Sequence, residues 1–162
     1  MALDIVTPPA SEPLTVDEAK AWLRLDGGAE DALVAALITA SRSAVEAACG
    51  RLLIVRGWRW RLDAWPRGNT LRLPVSPVTT VTTVTVVTPE GATDVPAANW
   101  MLATASDPAR LVLLRPPPVP APPADGITVA GRAGLAETPA SVPGSLRHAV
   151  RMTLAALWEN RG

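Results

Sequence analysis

The sequence predicts an α+β fold: a helical bundle, made of an N-terminal hairpin of two helices and a C-terminal helix, with a small antiparallel β subdomain inserted between them. Three observations predict it. Over residues 14–50 apolar side chains recur every three or four positions, the spacing of a helix with one buried face. From residue 52 to about 134 the pattern changes to alternation and to β-branched runs, which suit a pleated surface. The last twenty or so residues return to helical spacing. These boundaries give helices at about 15–26, 29–49 and 143–160 and a β insertion at about 52–134, within a single domain spanning residues 1–162.

Thr15 followed by Glu18 opens the first helix, because this pair forms a capping box in which each side chain takes the other residue's free backbone amide. Val16, Ala19 and Leu23, with Trp22 at the margin, form its apolar side, and Asp26-Gly27-Gly28 ends it. The second helix starts among Glu30 and Asp31, acids suited to the positive end of a helix dipole, and stops at Gly50, a residue suited to the left-handed cap. Leu33, Leu37, Ala40, Ala44 and Ala48 make its expected apolar face, with Val34, Ile38 and Val45 beside them. Most such faces are intramolecular core. The crowd of small residues around it, Ala36, Ala40, Ala44 and Ala47 among them, would equally let a helix of another copy approach closely.

After the hairpin, Trp58, Trp60 and Leu62 alternate with Arg59, Arg61 and Asp63, as in a strand with one buried face. A short strand around Leu71-Arg72-Leu73 follows, then a β-branched run over residues 78–87, which ends at the turn Thr88-Pro89-Glu90-Gly91. Weaker strands are expected at residues 100–103, 110–114 and 127–130, with Gly131-Arg132-Ala133-Gly134 as a turn. The proline-rich stretch at 116–123 reads as a stiff extended connector. Pro143 suits the first turn of the last helix, whose apolar side is Leu146, Ala149, Val150, Thr153, Leu154, Leu157 and Trp158.

Composition narrows the function. Of 162 residues, 15 are basic and 15 acidic, so the formal charge is zero, which speaks against a protein whose main task is gripping phosphate backbones. The single cysteine, Cys49, rules out an internal disulfide and is expected to be a small buried thiol. The N-terminus has no basic start or long apolar run, and no membrane-spanning window free of charge is expected, so the chain reads as soluble and unexported. The sole histidine, His148, has no metal-ligand spacing to another His or Cys. No nucleophile elbow or phosphate-loop lysine occurs. No catalytic, cofactor or metal site is therefore expected. One alternative remains open: Arg56-Gly57-Trp58-Arg59-Trp60-Arg61 interleaves arginine with tryptophan, as a module that binds single-stranded nucleic acid does. A core strand with a solvated outer face has the same pattern.

Taken in order, several stretches resemble the head-tail connector (adaptor) proteins of long-tailed phages and phage-derived gene transfer agents. The first are Leu14-Thr15-Val16-Asp17-Glu18-Ala19-Lys20, Leu23-Arg24-Leu25-Asp26 and Ala47-Ala48-Cys49-Gly50-Arg51-Leu52. Trp60-Arg61-Leu62-Asp63-Ala64-Trp65-Pro66 and Leu71-Arg72-Leu73-Pro74 follow, then Val142-Pro143-Gly144-Ser145-Leu146-Arg147-His148-Ala149 and Trp158-Glu159-Asn160-Arg161. The chain departs from the family where aromatic residues are common, at Val86, Val87 and Trp158.

The resemblance implies a non-catalytic protein without cofactors, assembled in the bacterial cytoplasm into the head-tail junction of a phage or gene transfer agent particle. Its implied partners are itself, usually as a twelve-subunit ring, the portal protein, and a tail-side stopper or tail terminator. Double-stranded DNA is implied only as passing cargo, and no membrane. It makes Arg151, Trp158, Asn160 and Arg161 the candidate portal interface, and Ala36, Ala40, Ala44 and Ala47 the candidate contact between subunits.

Overall fold

In the computed structural model, which describes residues 1–121 and 124–160, the capping box closes in both directions. Thr15 N–H donates to Glu18 Oε2 at 3.0 Å, and Glu18 N–H donates to Thr15 Oγ1 at 3.1 Å. This starts α1, Val16–Leu23. The helix stops before the expected residue 26 because Arg24 turns left-handed, with φ 57°, and its N–H bonds back to Lys20 O. Helix α2, Asp31–Cys49, ends at Gly50, which takes the left-handed cap with φ 66°. Helix α3 is Gly144–Glu159.

The backbone divides into two units, one made of residues 9–55 and the chain from Leu135, the other of Met1–Pro8 and Arg56–Gly134. In the helical unit, Leu14, Ala19, Val34, Ile38, Val45, Leu53, Val150 and Leu154 form one buried apolar cluster. This corrects the stripe expected on α2. The buried positions are Val34, Ile38, Ser41, Arg42, Val45 and Glu46, while Leu33, Ala40, Ala44 and Ala48 face outward. The physical reason is an internal ion pair. Arg42 donates to Glu46 Oε2 and to Glu12 Oε2, both at 2.7 Å, and Glu46 Oε1 accepts the Leu53 N–H at 2.8 Å. A buried charge is tolerated when it is paired and hydrogen-bonded, so two charged residues lie on the inner stripe and apolar periodicity alone misplaces it. Cys49 is exposed, not buried as expected, because it is the last residue of α2, beyond Val45 and Glu46 where the buried stripe ends.

The β unit holds two antiparallel sheets. Strands β1 Ala2–Ile5, β2 Arg56–Leu62, β4 Val78–Thr88, β5 Gly91–Asp94 and β8 Ile127–Ala133 form one, in the order β1-β2-β8-β4-β5. Strands β3 Thr70–Arg72, β6 Trp100–Ala103 and β7 Arg110–Leu113 form the other, in the order β3-β7-β6. Alternation decides burial: Trp58, Leu62, Ile127, Val129, Ala133, Val84 and Val86 are buried on the first sheet, Leu71, Leu111 and Leu113 on the second.

Two expectations change here. The residues expected as a turn at 131–134 continue β8 as far as Ala133. Gly131 serves close approach instead: a β-carbon there would collide with the Thr80 carbonyl of β4, at a stretch where the β4–β8 register shifts. The N-terminal residues, given no element by their sequence, supply edge strand β1. The described part of the proline-rich segment has no regular structure. It is anchored by Trp65, whose Nε1–H donates to Pro118 O at 2.8 Å, and by Ala121 N–H on Val87 O at 2.9 Å. Pro122 and Pro123 lie outside the described residues.

Candidate interface surfaces

Ala36, Ala40, Ala44 and Ala47 are all exposed, set on α2 by the helical period opposite the Val34, Ile38 and Val45 stripe. Exposed Leu33 extends the same side. By length and composition α2 is apolar enough to cross a membrane, yet only 33% of its apolar window is buried. Beyond Asp31 at its start, which pairs with Lys20, its charges are the Arg42–Glu46 pair, turned inward. What remains outside is a small-residue face on which another helix backbone could settle closely, and helices meet at axial distances of about 8–10 Å depending on the contacting side chains.

A second surface lies on α1 and α3. Trp22 is 41% exposed, and the edge of His148 meets it, centroids 5.8 Å apart and planes at 89°. The Arg151 guanidinium lies 5.9 Å from the Trp22 ring centre, in reach of a cation–π attraction. An open depression of about 320 Å³ is lined by Glu18, Ala21, Trp22 and Arg151. Glu18 is held there by Arg147, which donates to its Oε1 at 2.6 Å and to Pro13 O at 3.1 Å. The Thr15 N–H is the main influence holding the Glu18 carboxyl below its ordinary range; burial, next in size, opposes it, and Arg147 and then Arg151 add to the lowering.

The residues expected at the portal are placed unequally. Arg151 takes part in this surface, while Trp158 is half-buried and packed against the helical core. Asn160 caps α3, its Nδ2–H donating to Ala156 O at 2.7 Å, and Arg161 lies outside the described residues. Sequence reasoning passed over Trp22 as an anchor. Its signal was position, since it stands one residue off the Val16, Ala19, Leu23 stripe and so points away from the core.

The arginine–tryptophan segment is strand β2. Trp58 is 1% exposed and has no ring face to offer a base. Arg61 donates to Asp4 Oδ2 at 2.6 Å, so part of its charge is already answered within the sheet.

Solved structures match over 100% of this chain. A chain in the neck of an empty gene transfer agent particle computed with C6 symmetry is 33% identical, with a TM-score of 0.85, over 86% of its own length. The chain belongs to the head-tail connector family of gene transfer agent particles. A chain in the virion of a native gene transfer agent particle is 32% identical, with a TM-score of 0.87, over 86% of its length. One in the neck of a native particle computed with C12 symmetry is 29% identical, with a TM-score of 0.81, over 85% of its length. No protein-family model and no curated protein matches the sequence. For a connector, the informative chemistry is that of contact surfaces. Among the described residues, no group of three or more His, Cys, Asp or Glu is arranged to hold a metal ion, and His148 sits against Trp22 at the surface.

Proposed function

We propose that this protein is a structural adaptor that forms a ring, of twelve copies, between the portal and the tail-side stopper or terminator of a phage-like particle. DNA passes through the lumen, and no reaction is catalysed. The observation that carries this reading is 33% identity along the entire chain to a chain of a particle neck, with a common fold. The assemblies containing such chains were computed with sixfold and twelvefold symmetry, which supports self-association of this chain around an axis. Zero formal charge suits a lumen that must let DNA slide.

A ring of identical subunits needs two different faces that meet head to tail and close. The exposed Ala36, Ala40, Ala44, Ala47 side of α2 is one such face, because it buries apolar area without needing to desolvate charge. The α1–α3 surface is offered to the portal through Arg151 and Trp22, of the residue types most enriched in binding hot spots. Trp158 and Asn160, at the C-terminal end of α3, are further candidate portal contacts, as is Arg161. The protein takes its place during particle assembly in the bacterial cytoplasm.

Negative-stain imaging of the purified protein, alone and with the portal of the same particle, tests the proposal. Closed rings, free or seated on the portal, are expected. Particles that lack the protein and still join head to tail would refute it.

A further inference from the structure

We propose that the five-stranded sheet continues from one subunit to the next, edge strand β1 of one copy pairing in parallel with edge strand β5 of its neighbour. This rests on the ring reading above and adds to it a main-chain contact in the β unit, where the sequence signalled none.

Strand β1 leaves apolar surface uncovered. In the β1–β2 ladder Leu3 stands opposite Trp60 and Ile5 opposite Trp58, so their side chains share the face on which Trp58 is buried. Yet Leu3 is 42% and Ile5 44% exposed, and Val6 beside them is exposed as well. The buried face thus runs out to the last strand and stops there uncovered. The only charge on β1, Asp4, is on the opposite face and is paired with Arg61 at 2.6 Å. Edges are blunted by shortness, lysine, proline, an inward charge or a bulge; β1 is short, at four residues, but has none of the others, and its ladder with β2 runs without a register shift.

Its main chain is open too. Val6 N–H donates to Gly57 O at 3.0 Å, and in an antiparallel ladder alternate residues turn their polar groups to the same side. Ala2 and Asp4 therefore face β2, while the amides and carbonyls of Leu3 and Ile5 face outward.

The occupant follows from the sheet's other end. Strand β5 is the opposite edge, four residues long like β1, and exposed throughout. Val95 N–H donates to Val84 O at 2.7 Å, so by the same alternation Ala92 and Asp94 present their polar groups outward. Every neighbouring pair in the order β1-β2-β8-β4-β5 is antiparallel, which makes the two edges run in the same direction. A rotation that carries one copy onto the next preserves that direction, so each copy gives one edge and receives the other. This is the head-to-tail contact a closed ring requires, made by strand addition. Thr93, opposite buried Val86, brings a small side chain to the face that Leu3 and Ile5 leave open, and Gly91 brings none.

The test uses the full chain with and without portal. Ile5→Pro removes an outward N–H and no bond within the subunit, so its melting temperature should match wild type while the assembled fraction falls at least tenfold. Leu3→Glu, which desolvates a charge in the contact, should act in the same direction. In a Cys49→Ser background, Ile5→Cys with Thr93→Cys should give a ladder of trimers and larger species with a bis-maleimide spanning about 7 Å, two strand residues. Rings formed normally by Ile5→Pro would overturn the strand contact and leave the ring reading standing. So would cross-linked dimers from Ile5→Cys alone, which would mean pairing of β1 with itself. Wild-type protein that stays monomeric even with portal would overturn both.

Discussion

At the scale of single residues, charge is used as a fastener inside the helical unit. Glu18 joins α1 to α3, since it completes the α1 cap, accepts from Arg147 of α3, and so ties the two helices at one end. Its carboxyl is held below its ordinary 4.5, which means the folded form binds a proton less readily than the unfolded one. Stabilisation from it is therefore fully present above about pH 4.5 and is lost as pH falls through the lower folded value. Glu18→Gln should lower the melting temperature at pH 7, with the gap from wild type narrowing in melts taken at successively lower pH below about 4.5; a gap independent of pH would contradict this origin. Glu46 is a deeper case, because its side chain and that of Arg42 are only 8% and 7% exposed. Glu46→Ala leaves Arg42 short of a partner and Leu53 N–H without its acceptor. A loss of about 3–5 kcal/mol is expected in urea unfolding, as for other broken buried pairs.

At the scale of elements, what was legible depended on whether the deciding contacts were local. The Thr15 cap and the Gly50 stop act within a few residues, and α1 and α2 begin and end close to where those residues stand. Strand β4 was legible because a run of valine and threonine has few alternatives to an extended chain. Strand β1 was not, since Ala2-Leu3-Asp4-Ile5 carries no turn signal and its partner lies more than fifty residues away in β2. The α2 face was misread for a third reason: two adjacent stripes satisfy the helical period, and long-range Glu12 decides that the one with Arg42 goes inside. That choice leaves the alanines outside, which makes a prediction for the helix as a unit. Ala40→Glu with Ala44→Glu should keep the melting temperature within a few degrees, since exposed helix positions tolerate such changes within about 0.5 kcal/mol each. Sedimentation should nevertheless show ring formation lost, because two carboxylates would be buried without partners. Normal rings from this variant would remove α2 from the subunit contact.

At the scale of the whole molecule, the three surfaces belong to separate parts of the chain: the α2 face and the α1–α3 depression in one unit, the strand edges in the other. Self-association and portal binding should therefore be separable by mutation. The depression is the place to separate them, because Trp22 and Arg151 are held against each other at 5.9 Å and neither belongs to the buried apolar cluster of the helical unit. Replacing both with alanine removes an aromatic anchor and its cation while leaving Val16, Ala19 and Leu23 to pack α1 as before. Glu18 keeps Arg147 and the Thr15 amide, so the α1–α3 tie survives. The double variant should assemble into rings like wild type, with affinity for the portal reduced at least tenfold, the effect of losing a single hot spot of 1.4 kcal/mol or more. Trp158→Ala is the contrasting case. Its half-buried ring packs on the helical core, so its melting temperature should fall together with portal binding. Pull-down on immobilised portal, read beside sedimentation of the same samples, distinguishes the two. If the Trp22 and Arg151 variant bound portal as wild type does, the docking surface would have to lie elsewhere on the chain.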